Sequence, residues 1–119
     1  MLLADDNADA ASTLAMLLEA SGHEVHTAHD GIEAVEAAAR LRPDVIILDI
    51  GMPGLDGYEA ARRIRKQRRD NELLLIALTG WDQEEDKRRS EKAGFDFHLV
   101  KPVDVSALQE LLESVPSAK

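Results

Sequence analysis

The sequence predicts an α/β domain, an open and doubly wound parallel sheet of five strands alternating with five helices. Three observations predict it. Short apolar runs alternate with segments of helical periodicity, and glycine, proline or aspartate stands between them. Two of the runs, Val45-Ile46-Ile47-Leu48 and Leu73–Leu78, are apolar without a break, the mark of strands covered on both faces. Polar residues then stand where apolar runs stop.

Leu2-Leu3-Ala4 is a short first strand ending at Asp5-Asp6. Helical spacing follows through Leu14, Leu17 and Leu18 to Gly22, placed as a left-handed cap. Glu24–Ala28 reads as the second strand. Asp30 can cap a second helix with Ile32, Val35 and Ala38 or Ala39 on its inner side, closed by Pro43. Val45–Leu48 is the third strand and stops at Asp49. Gly51, Pro53, Gly54 and Gly57 make a turn-rich loop before a third helix along Tyr58, Ala61 and Ile64. Leu73–Leu78 is the fourth strand, ending at Thr79-Gly80. Trp81–Ala93, capped by Asp82 and stopped by Gly94, is the most polar helix. Phe97–Val100 is the last strand, followed by Lys101-Pro102 and an Asp104-capped helix with Leu108, Leu111 and Leu112 inward. Only residues 116–119 read as a frayed tail. One domain over residues 1–119 is expected.

Composition narrows the function. With 119 residues the chain can bury a core, and without cysteine it has neither disulfides nor thiolate metal ligands. A formal charge of -9, from 14 basic and 23 acidic residues, argues against nucleic-acid binding. The basic stretch from Arg62 to Arg69 reads as a solvated helix face with a positive C-terminal turn, because no aromatic residues are interleaved for stacking on bases. No apolar run approaches membrane-spanning length and the first residues lack a signal-peptide pattern, so the cytoplasm is expected.

In open α/β sheets, ligands bind beyond the carboxyl ends of the strands where strand order reverses. Asp5, Asp6, Asp49, Thr79 and Lys101 all fall at such ends. If the order is 2-1-3-4-5, the first and third strands are neighbours and three carboxylates converge. Their repulsion, roughly 4 kcal/mol per pair at about 4 Å and an effective dielectric near 20, is relieved by a proton or a hard divalent cation. Oxygen ligands without histidine or cysteine favour Mg²⁺. Lys101 and Thr79 suit the equatorial oxygens of a phosphoryl group in transfer, with Asp49 as nucleophile. Each residue also has a plain reading: a helix cap for Asp5-Asp6-Asn7, a turn aspartate for Asp49, a strand end for Thr79 and a solvated lysine for Lys101. Those readings leave the joint placement at strand ends unexplained.

The same stretches resemble the receiver domains of two-component response regulators, typified by the bacterial chemotaxis regulator and its flavodoxin-like fold. They are Ala4-Asp5-Asp6-Asn7, the run from Pro43 through Asp49 to Tyr58, Ala77-Leu78-Thr79-Gly80, Ala93-Gly94-Phe95-Asp96 and Leu99-Val100-Lys101-Pro102. The resemblance implies that Asp49 is the phosphoacceptor, that Asp6 ligates Mg²⁺ (or Mn²⁺) directly, and that Asp5 holds a metal-bound water. It further implies a metal contact from the Gly51 carbonyl, a switch hydroxyl on Thr79 that moves to the phosphoryl group, and pairing of Lys101 with that group. The Lys101-Pro102 bond is expected to be cis. A histidine kinase or histidine phosphotransfer domain would supply the phosphate, and hydrolysis would reset the switch. The chain would thus be a phosphoacceptor rather than a conventional turnover enzyme.

Three features depart from the family or stand beside its pattern. The first strand is short, as in an excised domain. His98 occupies the position where the family usually carries Tyr or Phe as the switch partner of Thr79. Trp81, the sole tryptophan, is placed at the rim of the site, where it either packs on the next helix or tunes water access. The segment from Thr79 to Pro102 is similar to receivers of hybrid sensor histidine kinases. The fourth helix, last strand and last helix form the face offered to partners, including a second copy in a homodimer. The competing classes are a degenerate receiver used as an interaction scaffold and a small aspartyl-phosphate hydrolase. The hydrolase is disfavoured because Gly51, not a carboxylate, stands two residues after Asp49.

Overall fold

Strand order is β2-β1-β3-β4-β5, all parallel, in the computed structural model of the chain. The structure describes residues 1–52, 55–67, 73–80, 84–101 and 103–114. The elements in chain order are β1 (Leu2–Ala4), α1 (Ala8–Ala20), β2 (His26–Ala28), α2 (Gly31–Leu41), β3 (Val45–Asp49), α3 (Gly57–Gln67), β4 (Leu74–Thr79), α4 (Glu84–Ala93), β5 (Phe97–Val100) and α5 (Val105–Ser114). The expectation for Trp81, for the Asp82 cap, for the Lys101-Pro102 bond and for the tail falls on positions outside the described residues.

Period-two alternation splits each strand between two cores. Leu2, Ala4, Ile46, Leu48, Leu75 and Ala77 pack toward α2, α3 and the end of α4. Leu3, Val45, Ile47, Leu74, Ile76 and Leu78 pack toward α1 and α5. Every residue of β3 and β4 is therefore buried, which is why both read as unbroken apolar runs. β5 is one of the two edge strands, and Phe97 and Val100 are exposed there.

Helix starts follow local side-chain chemistry. Asn7 accepts from the Ala10 amide at 3.1 Å, Asp30 from Glu33 at 2.7 Å, and Asp56 from Glu59 at 2.9 Å. The Asp104 carboxylate accepts from Ser106 at 2.9 Å. These bonds satisfy amides that the first helical turn leaves without partners.

Two details correct the sequence reading. The inner face of α2 is Gly31, Ala34, Ala37 and Ala38, with Val35 half-buried against the core, so of the expected inner residues Ile32, 56% exposed, is the one that faces out. The cause is a close approach: a Cβ on Gly31 would lie 1.9 Å from the Leu55 carbonyl oxygen, so α2 packs by its smallest residues. Likewise α1 buries Ala11, Leu14, Ala15 and Leu18, and leaves Leu17 outside. As expected, α2 closes before Pro43: it ends at Leu41, with Arg42 as its left-handed cap at φ 46°.

Candidate phosphoryl-acceptor site

Adjacency of β1 and β3 brings Asp5 and Asp49 to one end of the sheet. Ala4 is paired with Leu48, so the next residue of each strand projects past the same edge. Carboxylate oxygens of Asp5, Asp6 and Asp49 all lie within 4.8 Å of one another. Asp5 and Asp49 are buried while Asp6 is exposed, so the cluster opens to solvent on one side.

Each buried carboxylate is oriented by a backbone amide two residues on. Asp49 Oδ1 accepts from Gly51 at 3.1 Å and Asp5 Oδ1 from Asn7 at 3.0 Å. The reading of Asp49 as a turn aspartate anticipates the first of these bonds, and the sequence reading missed the second. The signal was present, since an aspartate heading a turn commonly accepts from the amide two residues later. Gly57 is a second such case. A Cβ there would lie 2.7 Å from the Asp49 carbonyl oxygen, so α3 can press its first turn against the strand end only because the residue is glycine.

Lys101 reaches back from the end of β5. Its Nζ donates to Asp49 Oδ2 at 2.9 Å and lies 3.4 Å from Asp5 Oδ2. The lysine backbone is anchored as well, its amide donating to the Thr79 carbonyl at 2.7 Å. Thr79 is buried at the end of β4, the strand next to β3. The structure therefore gathers Asp5, Asp6, Asp49, Thr79 and Lys101 at one end of the sheet, as the strand-end argument requires. Gly51 is exposed beside Asp49.

The electrostatics divide the two buried acids. Burial raises the pKa of Asp5, and the neighbouring Asp49 adds to that, against the Asn7 amide and the Lys101 charge. Burial works on Asp49 in the same direction, but the Lys101 hydrogen bond and the Gly51 amide outweigh it and hold Asp49 below the usual carboxylate range. Lys101 is held above its ordinary value: burial favours the neutral amine, and the two carboxylates overcome it. The charge on Asp49 is thus the better stabilised of the two, and Asp5 is the member short of positive charge. One ammonium serves the two buried carboxylates, and the exposed Asp6 adds a third negative charge beside them. A hard divalent cation with oxygen ligands fits that deficit.

His98 lies on the opposite side of β5 from Leu99, facing the α4 side of the sheet in register with Ala77. It is half-buried, and both ring nitrogens are buried without a hydrogen-bond partner. No helix among the described residues is long and apolar enough to cross a membrane.

Comparison with known proteins agrees with this geometry. CheY4, a chemotaxis protein of Vibrio cholerae, superposes with a TM-score of 0.89 at 33% identity, covering 97% of this chain and 96% of that one. The receiver domain of the sensor histidine kinase PA1611 from Pseudomonas aeruginosa, solved with a magnesium ion in its active-site cleft, gives 0.85 at 37% identity over 94% and 92% of the two chains. The transcriptional regulatory protein PrrA of Mycobacterium tuberculosis is 50% identical over 56 residues, 47% of this chain but only 24% of the relative. The response regulator receiver domain model matches residues 1–113, from before β1 into α5. By that match, and by the parallel 2-1-3-4-5 sheet, the chain belongs to the response regulator receiver family.

Proposed function

We propose that Asp49 accepts a phosphoryl group from a phosphohistidine, carried by a histidine kinase or a histidine phosphotransfer domain. One observation carries this reading: Asp49 is kept ionised at the end of a buried strand, with one oxygen on Lys101 and the other on the Gly51 amide. A carboxylate oxygen of Asp49 attacks phosphorus as the P–N bond of the donor breaks, and the donor imidazole leaves with the electron pair. Lys101 then follows the charge from carboxylate to phosphoryl oxygen, and the Thr79 hydroxyl donates to another. Asp6, Asp49 and the Gly51 carbonyl would hold Mg²⁺ or Mn²⁺, with Asp5 orienting its water. When bound, the cation neutralises charge on the phosphoryl oxygens. Attack of water on phosphorus returns Asp49 to its carboxylate.

A cavity of about 670 Å³ beside Asp5 and Lys101, lined by Thr13, Leu14, Leu17, Val103 and Val105, supports an approach of the donor over α1 and the start of α5. The end-to-end likeness to the receiver of a sensor kinase supports a place in a hybrid kinase in the cytoplasm. Exposed Phe97 and Val100 support self-association through the α4-β5-α5 face once Asp49 is modified. Thr79 and His98 would relay the change to that face, and the domain would act as one unit.

Incubation with acetyl phosphate and Mg²⁺, followed by intact mass and Phos-tag electrophoresis, tests the reading. A Mg²⁺-dependent phosphoryl adduct, lost in Asp49→Ala and slowed in Lys101→Met, is expected. No adduct on the wild-type protein would make the domain a scaffold. Rapid turnover of free phosphomonoesters would make it a hydrolase.

A further inference from the structure

His98 is an anomaly of packing. A neutral imidazole carries one N–H donor and one acceptor, and here both nitrogens are buried with neither satisfied. Among the described residues no other side chain has buried polar atoms left so. The ring lines a cavity of about 220 Å³ between α4 and β5, with Ser90 and Glu91 from α4 and Phe95, Asp96 and Phe97 from the turn and strand. Across the sheet its neighbour is Ala77, which brings no polar group.

The charged groups around it offer the ring no bond. Asp96 Oδ2 is already taken, accepting from Arg65 Nη2 at 2.7 Å and from the Leu75 amide at 2.9 Å. Arg65, on α3, faces this corner only through Asp96 and the carbonyls of Gly94 and Leu73. Glu91 is exposed on the cavity rim. The ring is therefore tolerated inside as a neutral group. An imidazolium has two donors and a charge to satisfy, and the seated position meets neither need.

We propose that His98 makes the seating of α4 on the sheet proton-sensitive: protonation drives the imidazole out of the cavity, toward solvent and Glu91, and loosens α4 from β5. α4 is suited to respond. Among its described side chains only Ser90 and Ala93 are buried, while Arg88, Glu91 and Lys92 are exposed. Beyond those it is held by Arg89, whose guanidinium stands 4.2 Å from the centre of the Tyr58 ring. The partner face would then read two inputs, acidity at His98 and charge at Asp49. The first does not depend on the second.

The size of the effect follows from linkage. If only the unseated ring takes a proton, the ratio of unseated to seated forms rises as pH falls, by up to about tenfold per pH unit, and the interval from about pH 7.5 to 5.5 spans the imidazole's charge change. Amide hydrogen exchange of α4, corrected for the intrinsic pH dependence of exchange, reads that ratio directly. It is to be measured together with the His98 ring and Ser90 and Leu99 amide resonances on the unphosphorylated wild-type protein. A rise of about tenfold in α4 opening is expected, with the ring and the amides sharing one midpoint. His98→Phe and His98→Leu, each checked for fold by circular dichroism, should be flat over the same range. Unchanged α4 exchange in the wild type would overturn the proposal, as would a rise that persists in both variants. Because no phosphoryl donor is present, loss of acceptor function at Asp49 would leave this result standing, and the reverse holds too.

Discussion

Asp5 and Asp49 are the same residue type, a few ångströms apart, and the structure gives them opposite tasks. Lys101 and the Gly51 amide stabilise the charge on Asp49, whereas burial and Asp49 itself work against the charge on Asp5. The signs for stability differ accordingly. Asp49, lowered in the folded state, contributes fully above the ordinary carboxylate range and loses its contribution as pH falls through its folded value. Asp5, raised in the folded state, costs stability once pH exceeds the ordinary range, and that cost vanishes in acid. Lys101, raised, contributes below the ordinary lysine range and loses its contribution as pH rises through its folded value. Asp5→Asn should therefore stabilise the metal-free protein at pH 7, by about 4 °C in Tm for each kcal/mol relieved, with the gain disappearing in acid. Mg²⁺ at about ten times its Kd should add ~1.4 kcal/mol to the wild type by mass action and much less to Asp5→Asn. A lower Tm for Asp5→Asn at pH 7 would show that its contact with Lys101 outweighs the repulsion.

Elements are joined here by close approaches that only small residues allow. Gly31 seats the first turn of α2 against Leu55, in the loop that follows Asp49. Ordinarily Gly→Ala inside a helix gains up to about 1 kcal/mol. Gly31→Ala should instead lose about 1–3 kcal/mol in urea unfolding, since the added methyl meets backbone rather than a yielding side chain. Ile32→Gln, one residue away and facing solvent, should stay within about 0.5 kcal/mol of wild type. This contrast also measures what was legible. The existence and order of ten elements followed from periodicity, caps and turn residues. The rotation of α2 did not, because hydropathy assigns Ile32 inward and cannot know that a carbonyl occupies the space beside Gly31. Leu17 misleads for the same reason: apolar character marks candidate inner positions, and only packing chooses among them.

Across the whole molecule, Arg65 ties α3 to the turn after α4 and to the starts of two strands. From α3 it donates to Gly94 at 2.9 Å, to Leu73 at 3.2 Å and to Asp96 at 2.7 Å, linking the starts of β4 and β5. The ion pair is partly exposed and by itself contributes little. Its weight lies in the two backbone carbonyls, which lose a donor when the guanidinium goes. Arg65→Ala should cost about 1–3 kcal/mol in urea unfolding, and Arg65→Lys should recover only part of it because an ammonium cannot reproduce the fork. Full recovery by lysine would reduce the clasp to a charge effect. In the sequence Arg65 was one cation of a solvated basic stretch. Arg62 and Arg63 fit that reading, each pairing with Glu59 on the helix surface, and Arg65 does not.

The sequence alone determined the alternation of strand and helix, the two doubly covered strands and the polar residues at strand ends. These are local properties, written in spacing and residue type. It also determined that an acidic cluster with a threonine and a lysine suits a phosphoryl group and a hard cation. The tertiary structure decided the rest. β1 must lie beside β3 before Asp5 and Asp49 meet, and β5 must follow β4 before Lys101 can choose between them. Which aspartate has the better stabilised charge depends on distances of 2.9 and 3.4 Å from one ammonium. Whether His98 finds a partner depends on how α4 and the turn after it fold back beside β5, and on Ala77 across the sheet. Such facts belong to contacts between residues far apart in the chain, and no local pattern encodes them.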